Sequence, residues 1–257
     1  MTGGFFSKIQ ILLNSRKIFK NWYIYPKVYC KLTNNEFVIF ETKDGLKIKI
    51  RAGTTDLMAL TNVWMINEYH VEDFEINRND VVIDIGAHIG LFSLLVSQYC
   101  KTGKIFSFEP MRENFDLLVS NLELNRMKNV FPFNVAVSKN SGKLNLFLNS
   151  DQSAHSIFSE SSKSVPVESI SLQKIFEENK ISSCKLLKLD CEGAEYDIID
   201  SLPPEYLAKI QNMAIEYHSA DTKPELVKNL ILKIKNAGFK IQTRPHYDDM
   251  GFLIARK

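Results

Sequence analysis

Beyond residue 80 the chain alternates short unbroken apolar runs with longer amphipathic stretches. Val81–Ile85 reads as a buried strand, Ile89–Tyr99 as an apolar helix and Lys104–Phe108 as the next strand. Arg112–Asn125 predicts a helix with Phe115, Leu118, Leu122 and Leu124 in its apolar positions. Val130–Val137 and Lys143–Leu148 predict two further strands, and the Ser-rich residues 149–164 a surface loop. Strand Lys185–Leu189, helix Glu195–Asp200, strand Met213–Tyr217 and helix Pro224–Ala237 continue the rhythm. Two strands, Lys240–Thr243 and Phe252–Ala255, close it. Repeated βα units predict an α/β fold: a doubly wound, mostly parallel, Rossmann-like sheet with a C-terminal antiparallel edge hairpin.

Before residue 71 the pattern is different. Phe37–Glu41 and Leu46–Ile50 flank Lys43-Asp44-Gly45, a tight-turn signal for a β-hairpin. Leu57, Leu60, Trp64 and Ile66 predict a helix from Asp56 to about Tyr69. Residues 1–70 are therefore expected as an N-terminal helix and hairpin extension, and 71–257 as the main domain. The first 35 residues hold Lys8, Arg16, Lys17, Lys20, Lys27 and Lys31 and no acid, interleaved with Phe5, Phe6, Phe19, Trp22, Tyr23, Tyr25 and Tyr29. The favoured reading is a capping helix, ended by Pro26, whose aromatics pack on the domain while its lysines face water. The rival is peripheral contact with an anionic membrane through residues 1–35.

Composition narrows the function classes. The chain has 257 residues, 45% hydrophobic and 24% charged, which excludes disordered and fibrous proteins. A net charge of +2 argues against a nucleic-acid partner. No apolar run reaches the ~18 residues of a membrane span, and the run Ile9–Leu13 is short for a secretory signal. Cys30, Cys100, Cys184 and Cys191 form no CxxC pair and read as reduced thiols of a cytoplasmic protein.

In an open parallel sheet the chemistry lies at the strand ends. Asp84-Ile-Gly86-Ala87-His88-Ile-Gly90 comes after the first strand, and Glu109-Pro110 ends the second. The glycines permit a tight turn and close approach, and Glu109 is placed to accept hydrogen bonds from two ribose hydroxyls. His88 stands where the dinucleotide fingerprint needs its second glycine, and no Walker lysine is present, so phosphates are disfavoured. Two carboxylates suit S-adenosylmethionine, which carries an ammonium and a sulfonium and no phosphate. A structural βα turn with an incidental Asp is the plainer alternative.

From Arg51 onward the chain resembles the FkbM-type family of S-adenosylmethionine-dependent methyltransferases. The resemblance rests on Arg51-Ala-Gly-Thr-Thr-Asp56, Val82–Ser93, Phe108-Glu-Pro110, Asn134-Val-Ala-Val-Ser138, Leu187–Glu195 and Ile215-Glu-Tyr-His218. It implies a class I methyltransferase fold and methyl transfer to a hydroxyl of a sugar, lipid-linked glycan, polyketide or other secondary metabolite. Asp84, Gly86, Ala87, His88 and Gly90 match the cofactor loop and Glu109 the ribose acid. Asn134 and Ser138 are expected near the adenine, and Asp190 at a second acidic element with Glu192 and Glu195.

The acceptor's proton must be removed. His218 is the leading base and Asp190 the runner-up. No metal is expected; the lesser alternative is Mg²⁺ or Mn²⁺ on Asp190, Glu192, Glu216 and His218. Glu195 is expected as a helix-start acid facing solvent. Arg51, Thr54 and Asp56 either line the acceptor site or cap a helix. His155 reads as a solvated loop histidine, with a lid role as its alternative; His246–Asp249 is expected to join the last two strands, and His70 has no evident partner. The competing functions are an NAD-type oxidoreductase, disfavoured by His88, and a non-catalytic binding protein on the same fold.

Overall fold

The computed structural model describes residues 5–147, 164–246 and 249–257, the side chains of 5–7 excepted. Residues 148–163, which hold His155 and all of the Ser-rich stretch but Ser164, and residues 247–248 of the last connection lie outside the described residues. In chain order come helices α1 (Phe5–Ile18) and α2 (Ile24–Tyr29), hairpin strands β1 (Phe37–Glu41) and β2 (Lys47–Arg51), and α3 (Asp56–Leu60). A π-helical turn (Thr61–Ile66) and a 3-10 turn (Val71–Phe74) lead to β3 (Val81–Ile85), α4 (Leu91–Ser97), β4 (Lys104–Phe108), α5 (Arg112–Leu124) and β5 (Val130–Phe133). Next are β6 (Ala136–Ser138), β7 (Gly142–Phe147), β8 (Ser164–Ser171), α6 (Leu172–Glu178), β9 (Cys184–Leu189), α7 (Glu195–Ser201) and α8 (Pro204–Leu207). The described chain closes with β10 (Ile210–Tyr217), α9 (Pro224–Asn236), β11 (Lys240–Pro245) and β12 (Gly251–Arg256).

The central sheet has seven strands in the order β11-β12-β10-β9-β3-β4-β5. Strands β10, β9, β3, β4 and β5 are parallel, and β12 runs antiparallel between β10 and the edge strand β11. From β3 the chain moves to β4 and β5 on one side and later returns to β9 on the other. The switch point therefore lies between β3 and β9, where an open sheet forms a crevice.

Side chains alternate between two faces. Ile83, Ile85, Leu187, Leu189, Met213 and Ile215 enter one apolar cluster, packed with α6, α7 and α9. Val82, Leu186 and Ala214 enter the other, and the same face carries Asp84, Lys188, Asp190 and Glu216 at two-residue steps toward the strand ends. One face of the sheet is thus apolar throughout, and the other becomes ionic toward its carboxyl end.

Elements before residue 71 pack on that face. Phe19, Tyr25, Phe40, Ile48, Leu60 and Trp64 share one apolar cluster with α4, α5 and Phe252 of β12. The capping reading of the N-terminus describes the buried Phe19 and Tyr25, but Tyr23 and Tyr29 stay exposed. Pro26 does not end a helix. It sits in the first turn of α2, where a missing N–H leaves nothing unpaired.

Two expected elements are broken. The helix expected over 56–69 widens into the π-helical turn, where Thr61 Oγ1 donates to Leu57 O (2.7 Å), and it stops at Asn67 in the left-handed region. The strand expected over Val130–Val137 splits, because Asn134 Nδ2 donates to the carbonyls of Glu109 and Pro110 (both 2.9 Å) and turns the chain out of the sheet. Beyond that turn the chain enters a separate sheet of order β6-β8-β7.

Candidate active site

An open cleft lies over the carboxyl ends of β3, β4 and β9. Its floor is the loop after β3. Gly86 adopts φ +76°, and a Cβ there would lie 1.7 Å from the carbonyl oxygen of Asp190. Only glycine lets the β3 and β9 ends meet this closely. Asp190 N–H donates to Ile85 O (3.1 Å), which joins the two strand ends. Ala87 and His88 line the cleft beside Gly86, and Gly90 (φ +86°) begins α4 against Leu118.

Glu109, at the end of β4, is almost fully buried. Its carboxylate accepts the His88 N–H (2.8 Å) and the Met111 N–H (2.9 Å). Burial still outweighs these bonds and the one from Asn114, and pushes its pKa up to about 7. The β5–β6 passage places Ala136 and Val137 in the cleft wall. The expected adenine contacts are not in that wall: Asn134 uses its amide on backbone carbonyls, and Ser138 donates to Asn140 O (2.8 Å).

Asp84 also departs from expectation. It does not line the cleft but lies beneath it, wholly buried, accepting a hydrogen bond from Ser93 Oγ (2.6 Å). Lys188 Nζ sits 3.4 Å from both Asp84 and Asp190 and donates to Gly86 O (2.7 Å). This buried ammonium holds Asp190 below the usual carboxylate range against the opposing effect of burial, and it absorbs the charge of Asp84. Sequence patterns carry no signal for Lys188, which looks like a polar position within an apolar strand.

Tyr69 likewise has no sequence signal. Its ring packs edge-on against Phe92 and Phe252, and its hydroxyl donates to Asp190 Oδ2 (2.9 Å) and Glu216 Oε2 (3.3 Å). Glu68 beside it lines the cleft. Burial first, and then the charge of Asp190, push Glu68 up to about 8 and Glu216 up to about 9.

His218, one residue past β10, stands at this acidic corner. Its Nδ1 lies 3.3 Å from Glu195 Oε1, and its Nε2 lies 3.5 Å from Glu192 and 3.8 Å from Glu216. Burial alone would lower its pKa. The Glu195 hydrogen bond and the charges of Glu192, Glu195 and Asp190 raise it instead to about 10. Glu195 is not the solvent-facing helix acid expected: it is wholly buried and accepts the N–H groups of Gly193 and His218 (both 2.8 Å). Asp190, Glu192 and His218 bring potential ligand atoms within 4.8 Å of one another.

His88, at φ +51°, has its imidazole between Arg51 (3.4 Å) and Asp56 (3.5 Å), and burial lowers its pKa to about 4, so the ring is neutral. Arg51 grips the buried Asp56 with two bonds (2.9 and 2.8 Å) and donates to Asn114 (2.8 Å). Thr54 Oγ1 accepts the N–H of Asp56 at the start of α3 (3.2 Å), and Arg51 and Asp56 do not line the cleft. They brace the loop after β3 from behind. His70 does find a partner, Arg244 at 2.7 Å.

The cleft is lined by carboxyl groups from the ends of β4 and β9 and from the segment before β3. The profile of the Methyltransferase FkbM domain matches residues 84–241, and the chain belongs to the FkbM methyltransferase family. It is 24% identical over 188 residues to the hexuronic acid methyltransferase AglP of Haloferax volcanii, covering 70% of this chain and 75% of that one. It is 26% identical over 182 residues to the methyltransferase sdnD of Sordaria araneosa (58% and 70%). Among solved structures, the fibrillarin pre-rRNA processing protein of Methanococcus jannaschii is similar at a TM-score of 0.49 and 12% identity, covering 86% of this chain and 82% of that one. The protein is an S-adenosylmethionine-dependent methyltransferase, which displaces the NAD-type and non-catalytic readings. The site fits that cofactor: Gly86 leaves the floor open, Glu109 presents a carboxyl group at the β4 end, and Asp190 and Glu192 line the cleft with carboxylates.

Proposed function

We propose that this protein transfers a methyl group to a hydroxyl of a sugar, glycan or related secondary metabolite, with His218 as the general base. The cofactor supplies an electrophilic methyl on a thioether leaving group, so the protein's tasks are to position the acceptor and take its proton. The observation that carries the reading is the His218–Glu195 pair: a buried carboxylate fixes Nδ1 and leaves Nε2 toward the carboxylates at the cleft. Asp190, held by Lys188 and Tyr69, is the runner-up base and a positioning group. Glu109 accepts the ribose hydroxyls, and Gly86, Ala87, His88 and Gly90 form the loop beneath the cofactor. Similarity to a hexuronic acid methyltransferase supports a sugar acceptor. Four unpaired cysteines support a reducing, cytoplasmic setting.

Titration with S-adenosylhomocysteine, for wild type and Glu109→Ala, tests the cofactor site; micromolar binding lost in the variant is expected. Methylation of uronic acids and neutral sugars then tests the acceptor. His218→Ala is expected to lower turnover by about 10²- to 10⁴-fold while leaving S-adenosylhomocysteine binding within a few-fold. Full activity of that variant would remove His218 from the chemistry.

A second reading is favoured by the convergence of Asp190, Glu192 and His218. There a divalent cation, rather than a base, would lower the acceptor's pKa. Activity abolished by EDTA and restored by Mn²⁺ would select it; activity indifferent to EDTA selects His218.

A further inference from the structure

We infer that the outer face of α1 and α2 is a docking surface for an anionic lipid membrane. Helix α1 is apolar on two sides. Ile11 and Ile18 pack on the core, Ser15 is buried, and Asn14 Nδ2 donates to Met65 O (2.9 Å), which seats the helix on the π-helical turn. Ile9, Leu12 and Leu13 fall on the opposite side by helical spacing and are exposed, together with Lys8, Arg16 and Lys17. Tyr23 and Tyr29 at α2 and Leu32 beyond it extend the exposed apolar set, whose members are 37% to 75% exposed.

Cations and rings are interleaved on this surface. Lys8 lies 5.8 Å from the Tyr29 ring, Arg16 6.0 Å from Trp22 and Lys27 5.7 Å from Tyr23. The first 35 residues carry six basic side chains and no acid. Lys20 pairs with Glu41, while Lys8, Arg16 and Lys27 lie by the rings of this surface.

Charge decides the occupant. A second copy docking through the same face would set these like charges against each other across a twofold axis. An anionic bilayer satisfies both features, with headgroups for the lysines and arginine and the acyl boundary for the aliphatic and aromatic side chains. The surface also borders the site. Met58 and Ile66, on α3 and the π-helical turn that supports α1, are exposed, while Ala59 and Val63 of the same segment line the cleft. Docking through this face does not depend on which acceptor is methylated.

Co-sedimentation of the full chain with vesicles tests it. Wild type should bind phosphatidylcholine vesicles containing phosphatidylglycerol, should release them as salt rises, and should not bind phosphatidylcholine alone. The double variant Ile9→Glu, Leu13→Glu should bind at least tenfold more weakly, with unchanged melting temperature and unchanged affinity for S-adenosylhomocysteine. Wild type remaining in the supernatant would overturn the inference, as would variant binding equal to wild type. A dimer by light scattering that the same variant dissociates, without vesicle binding, would assign the face to a second copy. Every one of these readouts is independent of methyl transfer.

Discussion

Glu109 works in a setting that makes its charge depend on pH. Its pKa of about 7 comes from burial, and only the ionised form accepts hydrogen bonds from two hydroxyls. Affinity for S-adenosylhomocysteine should therefore be flat above neutrality and weaken by about tenfold per unit below it, as protonation competes with binding. Glu109→Gln should bind weakly with no such slope; calorimetry across pH 5 to 9 checks both. At His218 the working form is again the deprotonated one, here the neutral imidazole. Neighbouring carboxylates raise its pKa to about 10, so the neutral base accumulates as pH rises. The ascending limb of kcat/KM should lie on the alkaline side and move down by about 1 unit or more in Glu192→Gln, which removes one nearby negative charge. Glu68, Glu216 and His218 together hold protons that the arrival of a positively charged cofactor would release.

Among the elements, the β3 and β9 ends are locked by two contacts, of which the sequence displays one. Gly86 is legible because a βα turn needs glycine there, and its φ and its contact with Asp190 O give the reason. Gly86→Ala should cost at least about 2 kcal/mol and abolish cofactor binding, since backbone rather than a flexible side chain occupies the space. Lys188 is not legible. Lys188→Met leaves Asp84 as a buried charge without its partner and should cost roughly 3–5 kcal/mol. Denaturant melts separate the two cases: Lys188→Met should regain part of its stability when Asp84→Asn is added, and Gly86→Ala should not.

For the whole molecule, side chains from the segment before residue 71 are part of the core. Phe19 and Tyr25 contact Phe40, and Phe19 also lies 6.4 Å from Trp64, whose indole N–H donates to Leu91 O at the start of α4. Removing residues 1–35 should therefore expose Phe40 and Trp64, lower the melting temperature by ten degrees or more on the order of several kcal/mol, and weaken cofactor binding through α4. A truncated protein as stable as the full chain would show the extension to be dispensable.

The sequence by itself determined the βα rhythm, the closing hairpin, the Gly86 turn and the acids at the β3, β4 and β9 ends. Each of these is local: a run of apolar residues, a residue that tolerates an unusual φ, an acid one step past a strand. It also determined the family, through short stretches in a fixed order. Tertiary structure alone decided which of those acids face the cleft. Asp84 turns beneath it to Lys188, Glu195 turns inward to His218, and Tyr69 reaches Asp190 and Glu216 from a segment over a hundred residues away. It also decided that Asn134 bends the chain by donating to two backbone carbonyls. The reason is physical. Local spacing says which side of a strand a residue takes, whereas the state of a buried charge depends on every group folded against it, and those groups are gathered from distant parts of the chain.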